Sequence, residues 1–133
     1  MADTPQYSHT ANISPEDIFA RPIGLEDNKP LSGTLAGNAS QTTPLVRGTV
    51  MGVVTATGEF APYVAGASDG TETAVGILSK TFDASELYNV NSSNVKAAAE
   101  NPATIYRAGT FFEAACPGID AAGKVDLTDI TFE

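Results

Sequence analysis

Hydrophobic positions are spread unevenly along the chain. Residues 1 to 43 contain no valine, whereas the 90 that follow contain nine, at positions 46, 50, 53, 54, 64, 75, 90, 95 and 125. Valine favours the half-buried pleated surface of a sheet, so the pattern predicts a β-rich core over residues 44 to 133 and an arm over residues 1 to 43. Within the core, Leu45 to Val54 is rich in β-branched residues and reads as a strand, Gly58 opens a turn, and Phe60 to Val64 reads as a short strand. Pro62 marks that strand as an edge or a bulge. Ser68-Asp69-Gly70 is a turn, since glycine accepts positive φ, and Ala74-Val75-Gly76-Ile77-Leu78 is an apolar run expected as a buried strand. Asn91 to Asn101 predicts a short helix, with Ser92 and Ser93 as caps before Val-Lys-Ala-Ala-Ala-Glu and Pro102 as its stop. Ala103 to Ala114 predicts a bent strand, with Gly109 at a bulge or a close backbone contact. A turn at Ala122-Gly123, then Val125, Leu127, Ile130 and Phe132, predicts a last strand that closes the sheet.

The arm has its own signals. Ser14-Pro15-Glu16-Asp17 is a helix start, with Ser14 as the cap, proline in the first turn and acids favouring the helix dipole; Pro22 ends it early. Tyr7, Ile13, Ile18, Phe19, Ile23, Leu25 and Leu31 are scattered among Pro, Gly, Asn and Ser. They can dock on a surface but cannot form a core alone. Residues 32 to 43 have the composition of a flexible linker.

Composition narrows the class of function. Sixteen acids against seven Lys and Arg leave a net charge of -9, which repels the phosphates of nucleic acid and an anionic membrane surface. No run approaches the roughly 20 apolar residues that span a bilayer. Neither partner is expected. The single cysteine, Cys116, cannot form an internal disulfide, and the first residues lack the basic opening and apolar stretch of a secretory signal, so synthesis in a cytoplasm is the default. Only 17% of residues are charged, which suits a β-rich chain with partly covered surfaces and makes self-association a natural source of stability.

Candidate chemistry is sparse. His9 has no second His or Cys beside it, so a zinc site and a serine triad both lack their parts. Cys116 has no partner at redox or metal spacing and is expected to pack rather than react. Asp120, Asp126 and Asp129 flank Gly123, but the order of ligands in a calcium loop and its closing Glu are missing. Gly33 and Gly37 follow no strand and precede no Lys of a phosphate cradle. No cofactor, no metal and no catalytic residue is expected, which describes a binding or structural protein.

The segments Asp69-Gly70-Thr71, Ala74-Val75-Gly76-Ile77-Leu78 and Tyr106-Arg107-Ala108-Gly109-Thr110-Phe111, with Pro117 after them and Thr43-Pro44-Leu45 before them, resemble the head decoration proteins of tailed bacteriophages, the lambda D-protein family. The resemblance covers residues 43 to 133 in the family's order. It singles out Pro44, Asp69, Gly70, Gly76, Ile77, Leu78, Tyr106, Gly109, Phe111 and Pro117 as core positions. It implies a β-clip-like fold, a homotrimer, and a non-enzymatic role on the outside of the expanded head, at three-fold and quasi-three-fold points. The major capsid protein of the same phage is the implied partner, and residues 1 to 43 correspond to the family's capsid-binding arm, so deleting them is expected to leave a folded trimer. Residues 92 to 100 lie in an insertion relative to the lambda-like pattern, expected as an outward tip or a trimer contact. Two readings from other classes stay open: a surface adhesion or receptor-binding module, and a small hydrolase with a hidden carboxylate pair.

Overall fold

A computed structural model of the chain describes residues 28–133. The Ser14 helix start, His9, and the arm residues Tyr7, Ile13, Ile18, Phe19, Ile23 and Leu25 lie outside the described residues. The fold is mainly β. Five strands close a small barrel in the order β1, β3, β2, β4, β7: β1 Pro30–Leu35, β2 Val50–Val53, β3 Phe60–Pro62, β4 Gly76–Leu78 and β7 Asn101–Tyr106. Between β4 and β7 a short 3-10 turn, Ala84–Leu87, leads into a hairpin of β5 Tyr88–Val90 and β6 Lys96–Ala98. After β7 come β8 Gly109–Phe111, a second 3-10 turn Glu113–Ala115, helix α1 Ala121–Asp126 and β9 Ile130–Phe132.

Neighbouring residues of β2 and β4 point to opposite faces, and both faces are buried. Met51 and Leu78 join Leu35, Phe60, Phe82, Leu87 and Ile105 in the barrel interior. Val50 and Ile77 face the other way, into a second core with Tyr63, Ala74, Phe111, Cys116, Leu127 and Ile130. The C-terminal elements therefore cover the barrel wall, and a strand buried on both sides reads as a continuous apolar run rather than an alternation. That explains why Ala74 to Leu78 is legible as a buried strand.

Several expectations hold with adjusted bounds. The strand within Leu45 to Val54 is restricted to Val50–Val53, with Leu45 making an isolated bridge to Phe82. Gly58, at φ +75°, closes a turn by donating to the Val54 carbonyl at 2.7 Å. Pro62 stands opposite Met51, and the next ladder bond is donated by Tyr63 to Val50 at 2.9 Å, so the missing N–H interrupts no ladder. The bent strand after Ala103 is β7 and β8, parted at Arg107-Ala108 and belonging to different sheets.

Three expectations are corrected. Residues 32 to 43 are not a free linker: β1 pairs with β7 over six residues, from Pro30↔Tyr106 to Leu35↔Asn101, and Leu35 is fully buried. Leu31, Gly33 and Leu35 alternate with Ser32 and Thr34, and a Cβ on Gly33 would lie 2.8 Å from the Phe60 ring, so glycine there lets the ring pack. Removing residues 1 to 43 therefore removes a barrel strand.

The helix expected over Asn91 to Asn101 is absent; the segment is the turn and second strand of the β5–β6 hairpin, followed by the start of β7. The Asn91 side chain accepts from the backbone of Ser93 at 2.8 Å and Val95 at 3.0 Å, and Asn94 takes φ 60°. Those contacts use the caps for a hairpin turn. The short alanine run left before Pro102 cannot repay the cost of a helix nucleus, and proline biases Asn101 to extended geometry.

The turn expected at Ala122-Gly123 is α1. Asp120 caps it by accepting from the Gly123 N–H at 2.7 Å. Ile119, Gly123 and Leu127 recur at helical spacing, which leaves Val125 exposed. The last strand, β9, pairs in parallel with β8 in a separate two-stranded sheet and closes nothing. Closure is made by β1.

Candidate assembly surface

Several titratable groups of the described residues serve local structure. Asp120 caps α1 and also accepts from the Tyr63 hydroxyl at 2.9 Å; the Gly123 N–H and then Tyr63 hold its carboxyl below the ordinary value. Burial, then the Asp120 carboxylate, pushes Tyr63 up. Asp69 accepts from the Thr71 hydroxyl at 2.6 Å and the Thr71 N–H at 3.0 Å, and these bonds lower its pKa. Asp126 accepts from the Ala74 N–H at 3.0 Å, while Asp129 pairs with Lys29 at 3.2 Å. Asp120, Asp126 and Asp129 are thus committed to three separate tasks, and no group of three or more His, Cys, Asp or Glu converges among the described residues. Cys116 is 2% exposed, and burial, with Glu113 nearby, pushes its thiol up to about 12. It packs in the second core rather than presenting a thiolate.

One pH dependence follows. A carboxylate whose folded pKa is depressed stabilises the fold fully above the unfolded value, 3.8 here, and that contribution is lost as pH falls through the folded pKa. The thermal midpoint is expected to drop on acidification below about pH 4. Asp120→Asn, which keeps an acceptor for Gly123, should flatten part of that acid limb in melts followed by circular dichroism; an unchanged limb would remove Asp120 from this role.

The family-pattern positions take part in the strands and turns of the fold. Gly76, Ile77 and Leu78 form β4, and Ile77 pairs with Tyr106 of β7. The Tyr106 and Phe111 rings sit 6.3 Å apart, and Gly109, at φ +123°, lies against Asn28. Asp69 and Gly70 hold the end of β2 through the Asp69 carbonyl, which accepts from the Thr55 N–H at 2.8 Å. Pro44 precedes the Leu45 bridge, and the Pro117 carbonyl accepts from Val50 at 3.0 Å.

Sequence reasoning missed Asn28. Its carbonyl accepts from the Arg107 and Ala108 N–H groups, at 2.9 and 3.2 Å, and its side chain donates to the Ala108 carbonyl at 3.1 Å. The chain is therefore pinned to the barrel where β1 begins. The alternation Leu31-x-Gly33-x-Leu35 was the available signal.

Among the described residues, strand edges and shallow grooves offer surface to another molecule. One groove of about 560 Å³ opens beside Leu31, over Val53 and Val75, with Lys29, Arg107, Asp126 and Asp129 around it. A smaller one of about 220 Å³ lies over Ser32, Ser79, Lys80, Phe82 and Thr104. Among the described residues, Asp69, Asp120 and Asp126 brace turns and a helix start, and part of the β1 edge stays unpaired. The chain belongs to the bacteriophage lambda head decoration protein D family, whose model matches residues 25–122. It is thus a phage head decoration protein, of a structural rather than an enzymatic family, and associates with the virion capsid. No curated protein sequence matches it.

Proposed function

We propose that the protein is a capsid cement: a homotrimer that binds the outer surface of the expanded head at three-fold and quasi-three-fold sites and stabilises it against the pressure of packed DNA. The observation that carries this reading is the family match over residues 25–122. In it, the barrel is the family's β-clip-like core, and the chain ahead of Asn28 is the capsid-binding arm, with Tyr7, Ile13, Ile18, Phe19, Ile23 and Leu25 as its anchors. The protein is made in the host cytoplasm and reaches the shell by binding the major capsid protein.

The physics is that of strand addition. An extended arm hydrogen-bonds to an exposed sheet edge while alternate side chains fill pockets. Ordering one arm costs conformational entropy, so a single arm binds weakly. Three arms on one trimer raise the effective concentration for the second and third. A ligand that binds only the assembled shell stabilises it by mass action, and the charge of -9 keeps free copies soluble. The test is to mix purified protein with undecorated expanded and unexpanded heads and image both. Density at three-fold positions on expanded heads alone is expected. Density on neither, or equally on both, would overturn the reading.

A further inference from the structure

The β5–β6 hairpin projects from the barrel with almost nothing beneath it. Every residue from Asn89 to Ala98 is exposed, including Val90 at 51% and Val95 at 57%. Its base is fastened where Leu87 accepts from Asn38 at 2.8 Å and Ala99 at 3.0 Å. A two-stranded hairpin without a covered face is marginal in water, so a surface that receives it adds stability to both.

The second unpartnered feature is the edge of β1. On the side away from β7, its pairing among the described residues is Leu35 with Phe60; Leu31 to Thr34 have no partner strand there. The groove of about 560 Å³ opens at the Leu31 end of this strand, with Leu31, Val53 and Val75 as its apolar surface. Open edges recruit strands unless something covers them.

Charge selects the occupant. The chain carries -9, so two copies that meet at random bring carboxylates together. Two stretches escape this. Between Asp27 and Glu59 there is no acid, only Lys29 and Arg47, and between Glu86 and Glu100 the sole charge is Lys96. The first contains β1 and the second is the hairpin. Around the groove, Lys29 and Arg107 balance Asp126 and Asp129. In an acidic chain these two stretches bring the fewest carboxylates together, with Glu59 and Glu100 lying at the far, Leu35 end of β1.

We propose that the β5–β6 hairpin of one copy adds to the free β1 edge of the next, its valines entering the groove beside Leu31, so that copies join head to tail. A heterologous contact gives a ring when the rotation between copies closes and a filament when it does not; that it closes here with three members rests on the homotrimer proposed above. The surface that joins copies is thereby separate from the arm that binds the shell.

Sedimentation of the full chain, with circular dichroism to follow the fold, tests this. The wild-type chain is expected to be a trimer. Val95→Asp and Val90→Asp, both at exposed hairpin positions, should each raise the concentration at which it dissociates at least tenfold while the melting curve of the dissociated chain stays native-like. Leu31→Lys should do the same from the receiving side, and Val95→Asp combined with Leu31→Lys should recover association. A wild-type trimer that withstands both hairpin substitutions would overturn this interface and leave the cement reading standing. A wild-type chain that is monomeric both in solution and on heads would overturn the trimer itself.

Discussion

Deleting residues 1 to 27 is expected to leave a cooperatively folded protein that no longer decorates expanded heads, whereas deleting residues 1 to 43 is expected to abolish folding. The difference is β1. Pro30–Leu35 supplies a six-residue ladder to β7 and places Leu35, fully buried, among Met51, Phe60 and Ile105. Truncating a buried leucine to alanine alone costs about 2–5 kcal/mol. Losing the whole strand adds an unpaired β7 edge and an exposed Phe60 ring, against a total stability of about 5–15 kcal/mol for a domain. Urea melts followed by circular dichroism distinguish the two deletions. A cooperative transition near that of the full chain after deletion to residue 43 would show that β1 is dispensable. Full occupancy of heads by the protein lacking residues 1 to 27 would remove the arm from the proposed clamp.

Gly70→Val is expected to cost nearly as much without touching the barrel interior. Gly70 sits at φ +108°, a conformation that side chains rarely adopt. A Cβ there would run into the Val53 carbonyl and come within 2.8 Å of the Thr55 backbone nitrogen. Strained backbone costs on the order of 1–3 kcal/mol, and forcing atoms into a filled space costs about 1–3 kcal/mol more. Relief requires moving backbone, because the Asp69 carbonyl is bonded to Thr55 and the Asp69 side chain to Thr71. Gly58→Ala is the control: its φ is +75°, but a Cβ meets nothing within 4 Å, so its cost is limited to about 1–2 kcal/mol of left-handed backbone. Equal denaturation midpoints for Gly70→Val and Gly58→Ala would show that the tight packing at Gly70 contributes nothing.

The same residues show where sequence reasoning succeeds. Gly58 and Gly70 announce turns because their conformations are local, and Phe60 and Gly76-Ile77-Leu78 announce strands because their preferences agree with their burial. The candidate assembly surface was far less legible. For the arm's apolar residues and the insertion near Ser92, only the family resemblance supplies partners, and the hairpin segment reads locally as a helix. Lys96-Ala97-Ala98 has helical preference, yet Asn91 folds the chain back before a helix can nucleate. At Gly123, the turn signal is outweighed by the Asp120 cap and by the burial of Gly123 and Leu127.

By itself, then, the amino-acid order determined the β class, the turns at Gly58 and Gly70, the surplus of acid, and the family to which the chain belongs. Tertiary structure alone decided that Pro30–Leu35 is a barrel strand, that Val50 and Met51 serve different cores, and which edges remain open. Those outcomes depend on pairing across distance, as between Leu35 and Asn101, and on how Phe60 lies over Gly33. Local propensity carries no record of a partner that lies far along the chain.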